Sequence, residues 1–317
     1  MKIFVTGGTG ILGRRVVRLL VGNQHEVVVL SRSARNETLI RSLGGLPFTG
    51  NLFEPAGLLR GAAGCDAILH LATSIPASFK PAAWAMNDRI RTEGTRNLLL
   101  AAQANQVPFF LQESVALLYG NQNGAVISPA TPIASRQPAM LKSAVEMERL
   151  VRSAAGENLR YAILRFGAFY ASDSAQTQSL IDSVRRGKMP IIGKGDFYWN
   201  MIHADDAAAA VVHVVNNPAK FADQTVNVSD FHPLTFREMV LSIAEKTGSK
   251  KPLSIPRWLA WLAMGPDAYS VLTASYRLTD SAALPGWAPE VADFRDGLNA
   301  LVAAPAPDPA GFAKESA

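Results

Sequence analysis

Cysteine is almost missing from this chain: 317 residues include one, Cys65. A single thiol excludes an internal disulfide framework and fits a reducing compartment. There is no Cys pair, no zinc-ligand spacing and no Ser-His-acid layout, and the five histidines stand apart from one another. Neither a metal centre nor a serine-hydrolase mechanism is therefore expected. Long apolar runs are missing too. Ala207 to Val215, among the longest, has a histidine inside it and is far shorter than the ~20 residues that cross a bilayer. No cationic segment precedes the first apolar run, so a secretory signal is not expected. Charge of one sign is also scarce. The 31 Lys and Arg against 26 Asp and Glu leave a formal +5, with Arg14-Arg15 and Arg185-Arg186-Gly187-Lys188 the nearest things to clusters. Scattered basic residues suit small anionic ligands better than a nucleic-acid duplex. The chain reads as a cytoplasmic protein that takes a small-molecule substrate or effector, with neither nucleic acid nor a membrane as partner. A homodimer is compatible with this reading.

The composition, 48% hydrophobic and 18% charged, is that of an ordinary globular protein with a large core. The most informative stretch is Thr6-Gly7-Gly8-Thr9-Gly10-Ile11-Leu12-Gly13, between the apolar run Lys2–Val5 and a pattern carrying Val16, Val17, Leu19 and Leu20. Strand, glycine turn and helix together point to a dinucleotide site. Gly7 permits the tight turn, Gly10 lets the backbone approach a pyrophosphate, and Gly13 lets helix and strand pack closely. The free amides and dipole of the helix then face the phosphates.

Strand-like runs follow at 25–30, near Pro47, at 66–71, at 107–111 and at 160–165. A long helical segment spans roughly 83–105 and another 141–151. Strands separated by helices imply βαβ units and a parallel sheet. The fold class expected is α/β: a Rossmann-type doubly wound parallel sheet with a small C-terminal α/β substrate lobe. The first domain is read over 1–165, completed by segments around 200–228, with the substrate lobe over 166–302 and a disordered low-complexity tail over 303–317. A helix is expected from Asp205-Asp206, a strand at Asn227–Ser229 and a capped helix from Thr235. Phe197, Tyr198 and Trp199 either line a pocket or belong to a core.

The glycine motif and later landmarks resemble the extended (atypical) short-chain dehydrogenase/reductase family, which includes NAD(P)-dependent epimerases and dehydratases. The landmarks are Asn51-Leu52, His70-Leu71-Ala72, Glu93-Gly94-Thr95, Tyr119-Gly120, Arg165 with Tyr170, His203-Ala204-Asp205-Asp206 and Pro285-Gly286-Trp287. The resemblance implies that Asn51 and Leu52 lie against the adenine, and that Leu71 and Ala72 pass beside the cofactor. It leaves His70 and His203 as structural residues.

The end of the second strand selects between cofactor forms. Enzymes that take the unphosphorylated form place Asp or Glu there, on the ribose hydroxyls. This chain has Ser31 and Arg32, with Arg35 nearby. A guanidinium holds a 2′-phosphate by paired charge-assisted bonds. NADP is the expected cofactor, ahead of NAD.

The resemblance also implies a catalytic Tyr followed four residues later by Lys, the Lys lowering the phenol pKa. Aligning Ser143 and Glu148 with the family's Ser and Glu puts Met140 and Ala144 at those two places. A register shifted by two gives Pro138 and Lys142. No tyrosine occurs between Tyr119 and Tyr161, and Val115 falls at the usual Ser/Thr position, with Ser114 one residue earlier. Substitute proton donors are Ser114, Tyr119 and Lys142, with Tyr170 more remote. Lys142, two residues from Met140 on a helix, points to another face. Three readings remain open. The protein is an oxidoreductase or epimerase-like enzyme with displaced or reduced acid–base machinery, a cofactor-binding sensor or regulator, or a scaffold.

Overall fold

The computed structural model describes residues 1–76, 78–279 and 284–303. In chain order the first elements are β1 (Lys2–Thr6), α1 (Gly13–Gly22), β2 (Glu26–Ser31), α2 (Ala34–Ser42), β3 (Leu46–Thr49), α3 (Pro55–Gly61) and β4 (Ala67–His70). Then come α4 (Ala85–Arg89), α5 (Thr95–Ala104), β5 (Phe109–Val115), α6 (Ala139–Ala154), β6 (Arg160–Phe166), β7 (Ala168–Tyr170) and α7 (Ala175–Arg185). The remainder are β8 (Ile191–Ile192), β9 (Tyr198–Trp199), β10 (Met201–His203), α8 (Ala204–Asn216), β11 (Gln224–Val228), β12 (Leu234–Thr235) and α9 (Phe236–Lys246). β13 (Ser254–Ile255), α10 (Arg257–Met264), α11 (Pro266–Leu272) and α12 (Phe294–Ala303) end the described chain.

Seven strands form a parallel sheet in the order β11-β6-β5-β4-β1-β2-β3. Thr6 pairs with His70, so the glycine turn and the residues after β4 leave the sheet side by side. Pro47 is tolerated because β3 is the edge strand, where a missing N–H breaks no outer ladder. Even-numbered residues of three central strands, Phe4, Ile68 and Phe110, share one core with Leu58, Leu98, Val151 and Ile163. Each is large and apolar, and full burial of one such side chain contributes about 1.5–3 kcal/mol.

The chain divides into two compact units. One comprises 1–115, 140–165 and 207–226; the other comprises 116–139, 166–206 and the chain from 227 onward. Residues 116–139, placed in the first domain by the linear reading, group with the second unit. That unit has its own core, in which Phe197 stacks on Phe236 with centroids 5.0 Å apart and Trp199 packs tilted against the same ring. Phe197 and Trp199 are thus packing residues, and Tyr198 lies under the Arg277 guanidinium.

Local signals set several boundaries. Thr235 caps α9 through a capping box with Glu238, and Ser33 caps α2 by accepting from the Asn36 amide. Asp205 and Asp206 sit in the first turn of α8. Two expectations need correction. The helix expected over 83–105 is interrupted: a 3₁₀ turn at Pro81–Trp84 precedes α4, and a π-helical turn at Ile90–Gly94 separates α4 from α5. The tail was expected to start at 303, but Ala303 closes α12; residues 304–317 lie outside the described residues.

Candidate cofactor site and reactive corner

The chain leaves β1 at Thr6 and reverses at Gly7, whose φ is +76°. Glycine is needed there twice over. The angle suits it, and a Cβ would lie 2.5 Å from the backbone of Leu71 and Ala72. A Cβ on Gly13 would lie 2.0 Å from the Gly7 carbonyl oxygen, so α1 starts pressed against the turn. Gly10 differs. It is exposed, and a Cβ there would meet only the Gly7 oxygen, at 3.4 Å, leaving open space beyond. Thr9 and Ile11 are half-buried on the turn, and Leu12 is buried beneath it.

Helix α1 begins without a capping side chain and without an acidic residue in its first turn. The backbone amides of Ile11, Leu12 and Gly13 have no acceptor among the described residues. Unpaired amides, a positive helix end and cleared space fit a diphosphate. The residues present therefore fit a dinucleotide cofactor.

The outer part of this site lies at the ends of β2 and β3. Ser31 is buried and donates to the Ser33 carbonyl, so its hydroxyl is occupied locally. The Arg32 and Arg35 side chains are exposed and have no hydrogen-bond or ion-pair partner among the described residues. Asn51 accepts from the Phe53 amide, which shapes the turn after β3. Leu52 is buried, and its carbonyl accepts from Asn97 Nδ2. The structure thus gathers Gly7 to Gly13 with Leu71 and Ala72, and arrays Ser31, Arg32, Arg35, Asn51 and Leu52 along the neighbouring strand ends.

The corner between β5 and α6 is built from side chains. Ser114 donates to Glu148 Oε1 at 2.7 Å, and Arg165 grips both oxygens of Glu148 at 2.9 and 2.6 Å. Burial pushes the Glu148 carboxyl up, but Arg165, Ser114 and Arg152 outweigh it and hold the group below the usual carboxylate range. Ser114 is therefore committed to a buried ionic network. Lys142 is exposed on α6, whereas Met140 and Ala144 are 3% and 0% exposed. In the second unit the Tyr119 hydroxyl donates to Asn227 Oδ1 at 2.7 Å. The Tyr170 hydroxyl is buried without a hydrogen bond, against the His203 and Phe294 rings, and burial raises its pKa. Ser114 and Lys142 do not converge.

Two buried charges lie outside the candidates read from the sequence. Arg91, on the π-helical turn, donates to the Met140 carbonyl at 3.2 Å, so it anchors the backbone where the resemblance expects Tyr. Glu113, two residues before Val115, is 8% exposed and makes no side-chain hydrogen bond among the described residues. Burial pushes its carboxyl up to about 7, opposed by the charge of Arg91. A carboxylate two residues beyond the apolar run Phe109-Phe110-Leu111, on the same strand, is the one available signal. His70 donates to or accepts from the Thr6 hydroxyl at 2.8 Å, and burial lowers its pKa to about 4. Asn87 Nδ2, Thr95 Oγ1, Gln112 Oε1 and Ser143 Oγ, from the same first unit, are buried without partners, an uncommon concentration of unused polar atoms. No group of three or more metal-ligating side chains occurs among the described residues.

Comparison with known proteins agrees with this geometry. A denitrifying reductase of 3-diazoavenalumate from a Streptomyces species is 27% identical over 311 residues, covering 94% of this chain and 99% of that protein. A ketoreductase from Stigmatella aurantiaca is 25% identical, covering 79% and 74%. Among solved structures, a dTDP-glucose 4,6-dehydratase from Streptomyces venezuelae with NAD and TYD bound superposes with a TM-score of 0.78 at 20% identity. It covers 95% of this chain and 96% of that one. A UDP-glucose 4-epimerase from Thermotoga maritima with UDP-glucose gives 0.75 at 21%, covering 95% and 97%. The profile of the NAD dependent epimerase/dehydratase family matches residues 3–229, and this chain, with its diphosphate-ready glycine turn, belongs to that family.

Proposed function

We propose that this protein is an NADPH-dependent reductase whose acceptor needs no proton at the reacting atom. The observation that carries this reading is the pair Met140 and Ala144, both buried on the face of α6 where the family resemblance expects a phenol and an ammonium. A thioether and a methyl group neither donate a proton nor activate a donor. Positioned general acid catalysis supplies about 10²–10⁴ in rate, so ordinary carbonyls are poor substrates for such a site.

A dinucleotide whose diphosphate sits at the glycine turn would supply a hydride from its nicotinamide. Gly10, Ile11, Leu12 and Gly13 hold the diphosphate, and Arg32 with Arg35 meets the 2′-phosphate. An acceptor that already carries positive charge is neutralised by the hydride alone. An arenediazonium group is such an acceptor: adding one hydride and releasing dinitrogen leaves a neutral arene, with atoms and charge balanced. The relative that acts on a diazo compound supports this class. The partner is thus a small molecule and the reaction a reduction. The domain roles follow: the glycine-turn unit holds the cofactor, and the second unit supplies substrate contacts.

Nicotinamide absorbance tests the reading directly. NADPH oxidation is expected with an arenediazonium salt and negligible with aldehydes, ketones and keto-sugars. Rapid turnover of ordinary ketones by the unaltered protein overturns it. Tight NADPH binding with no turnover of any acceptor favours a sensor or regulator instead.

A further inference from the structure

Helix α10, Arg-Trp-Leu-Ala-Trp-Leu-Ala-Met, is apolar on nearly every side, a pattern that normally marks a buried helix. Here only Ala260 is fully covered. Trp258 is 66% exposed, Trp261 49%, Leu262 67% and Leu259 40%, and Leu253 just before the helix is 81% exposed. Trp258, Trp261 and Leu262 stand at i, i+3 and i+4, so they form one ridge. Five large apolar side chains exposed within ten residues exceed the scattered single exposures of a soluble surface and mark an interaction site.

The charge around the ridge says what covers it. Residues 247–266 contain Lys250, Lys251 and Arg257 and not one Asp or Glu. Lys250 and Lys251 are exposed and have no ion-pair partner among the described residues; Arg257 pairs with Asp196. Arg237 reaches the same segment through Ser254 Oγ and binds the Lys194 carbonyl, which brings two further cations to the rim. A second copy of this chain, docked about a two-fold axis, sets like charges against each other. An anionic surface has the complementary charge and accepts both tryptophans at its polar boundary.

We propose that α10 and the segment leading into it form a monotopic docking surface for anionic phospholipid bilayers. It inserts Trp258, Trp261 and Leu262 at headgroup depth while Lys250 and Lys251 meet the lipid phosphates. Nothing in this arrangement spans a membrane, consistent with the lack of any helix long and apolar enough to cross one among the described residues. It departs from the expectation that no membrane is a partner, an expectation that rested on spanning segments alone.

Co-sedimentation of the full chain with vesicles tests the proposal. Vesicles of phosphatidylcholine with 30% phosphatidylglycerol are expected to bind the protein at least tenfold more tightly than pure phosphatidylcholine, with a blue shift in tryptophan emission. W258S/W261S is expected to lose binding at least tenfold, and K250E/K251E to lose the preference for anionic lipid. Both variants change exposed side chains, and circular dichroism checks that they fold as the parent does. No binding to either vesicle overturns the proposal. So does binding that is unchanged in W258S/W261S. Concentration-dependent dimers abolished by W258S/W261S, without vesicle binding, give the ridge to a second copy and also overturn it.

Discussion

Two corners of the first unit, both at the same end of the parallel sheet, are built on different principles. At the β1–α1 corner the backbone does the work: Gly7 and Gly13 clear space, and the amides of Ile11 to Gly13 supply donors. At the β5–α6 corner side chains do it: the Ser114–Glu148–Arg165 network and the Arg91–Glu113 pair fill the interior with charge. A backbone site binds an anion regardless of the chemistry beside it. A side-chain site is rewritten by a few substitutions. This chain has an open glycine turn at the first corner, while buried Met140 and Ala144 and half-buried Val115 stand at the second.

The sharpest test of that contrast is a pair of glycine substitutions. Gly10→Val is expected to weaken NADPH binding at least a hundredfold by calorimetry with little change in Tm, because the new side chain projects into open space that the diphosphate needs. Gly7→Val is expected to lower Tm markedly, because its Cβ lies against the Leu71–Ala72 backbone and its φ is positive. Equal loss of Tm in both variants breaks the distinction between binding space and packing space.

The reactive corner is tested through pH. The Glu113 carboxyl has a folded-state pKa near 7, above its ordinary value of 4.5, because burial favours the protonated form. Between about pH 4.5 and 7 the unfolded chain releases this proton first, so stability falls as pH rises, by up to about 1.4 kcal/mol per pH unit, and levels off above 7. His70 acts in the opposite sense, with stability lost as pH falls from 6.5 toward 4. Glu113→Gln removes only the first effect. Urea melts of both proteins across pH 4.5–8 are expected to converge in slope above 7 and diverge below it. Parallel profiles throughout mean that Glu113 is solvated and this corner is not charge-built.

The smallest effect is expected at the rim of the backbone corner. Arg32→Ala removes one charge-assisted contact, about 1.5–3 kcal/mol, or about tenfold or more in NADPH affinity, and leaves NADH affinity nearly unchanged. Unaltered selectivity in Arg32→Ala places phosphate recognition elsewhere.

Much of the first unit was legible because its signals are local. The β-branched run at 26–31, the strand and helix patterns on either side of the glycine turn, and the glycine spacing itself each depend on residues a few positions apart. The π-helical turn at Ile90–Gly94 was not legible, since its sequence reads as uninterrupted helix and the break arises where Arg91 reaches Met140, 49 residues on. Phe197 and Trp199 looked equally suited to a pocket; Phe236 decided that they pack.

By itself the sequence determined most of the strands and helices of the parallel sheet, the glycine turn and the stretch without tyrosine between Tyr119 and Tyr161, because periodicity, backbone freedom and residue identity do not depend on distant partners. Only the tertiary structure decided which charges are buried and which apolar residues are left bare. Glu113 titrates near 7 because the fold buries it, against the opposing charge of Arg91, and Glu148 stays ionised because Arg165, on the next strand, closes on it. Helix α10 has the composition of a core helix, yet only Ala260 finds full cover. Burial belongs to the assembled chain: solvation and ion pairing are fixed by whatever residues the fold brings alongside, and local sequence does not specify those neighbours.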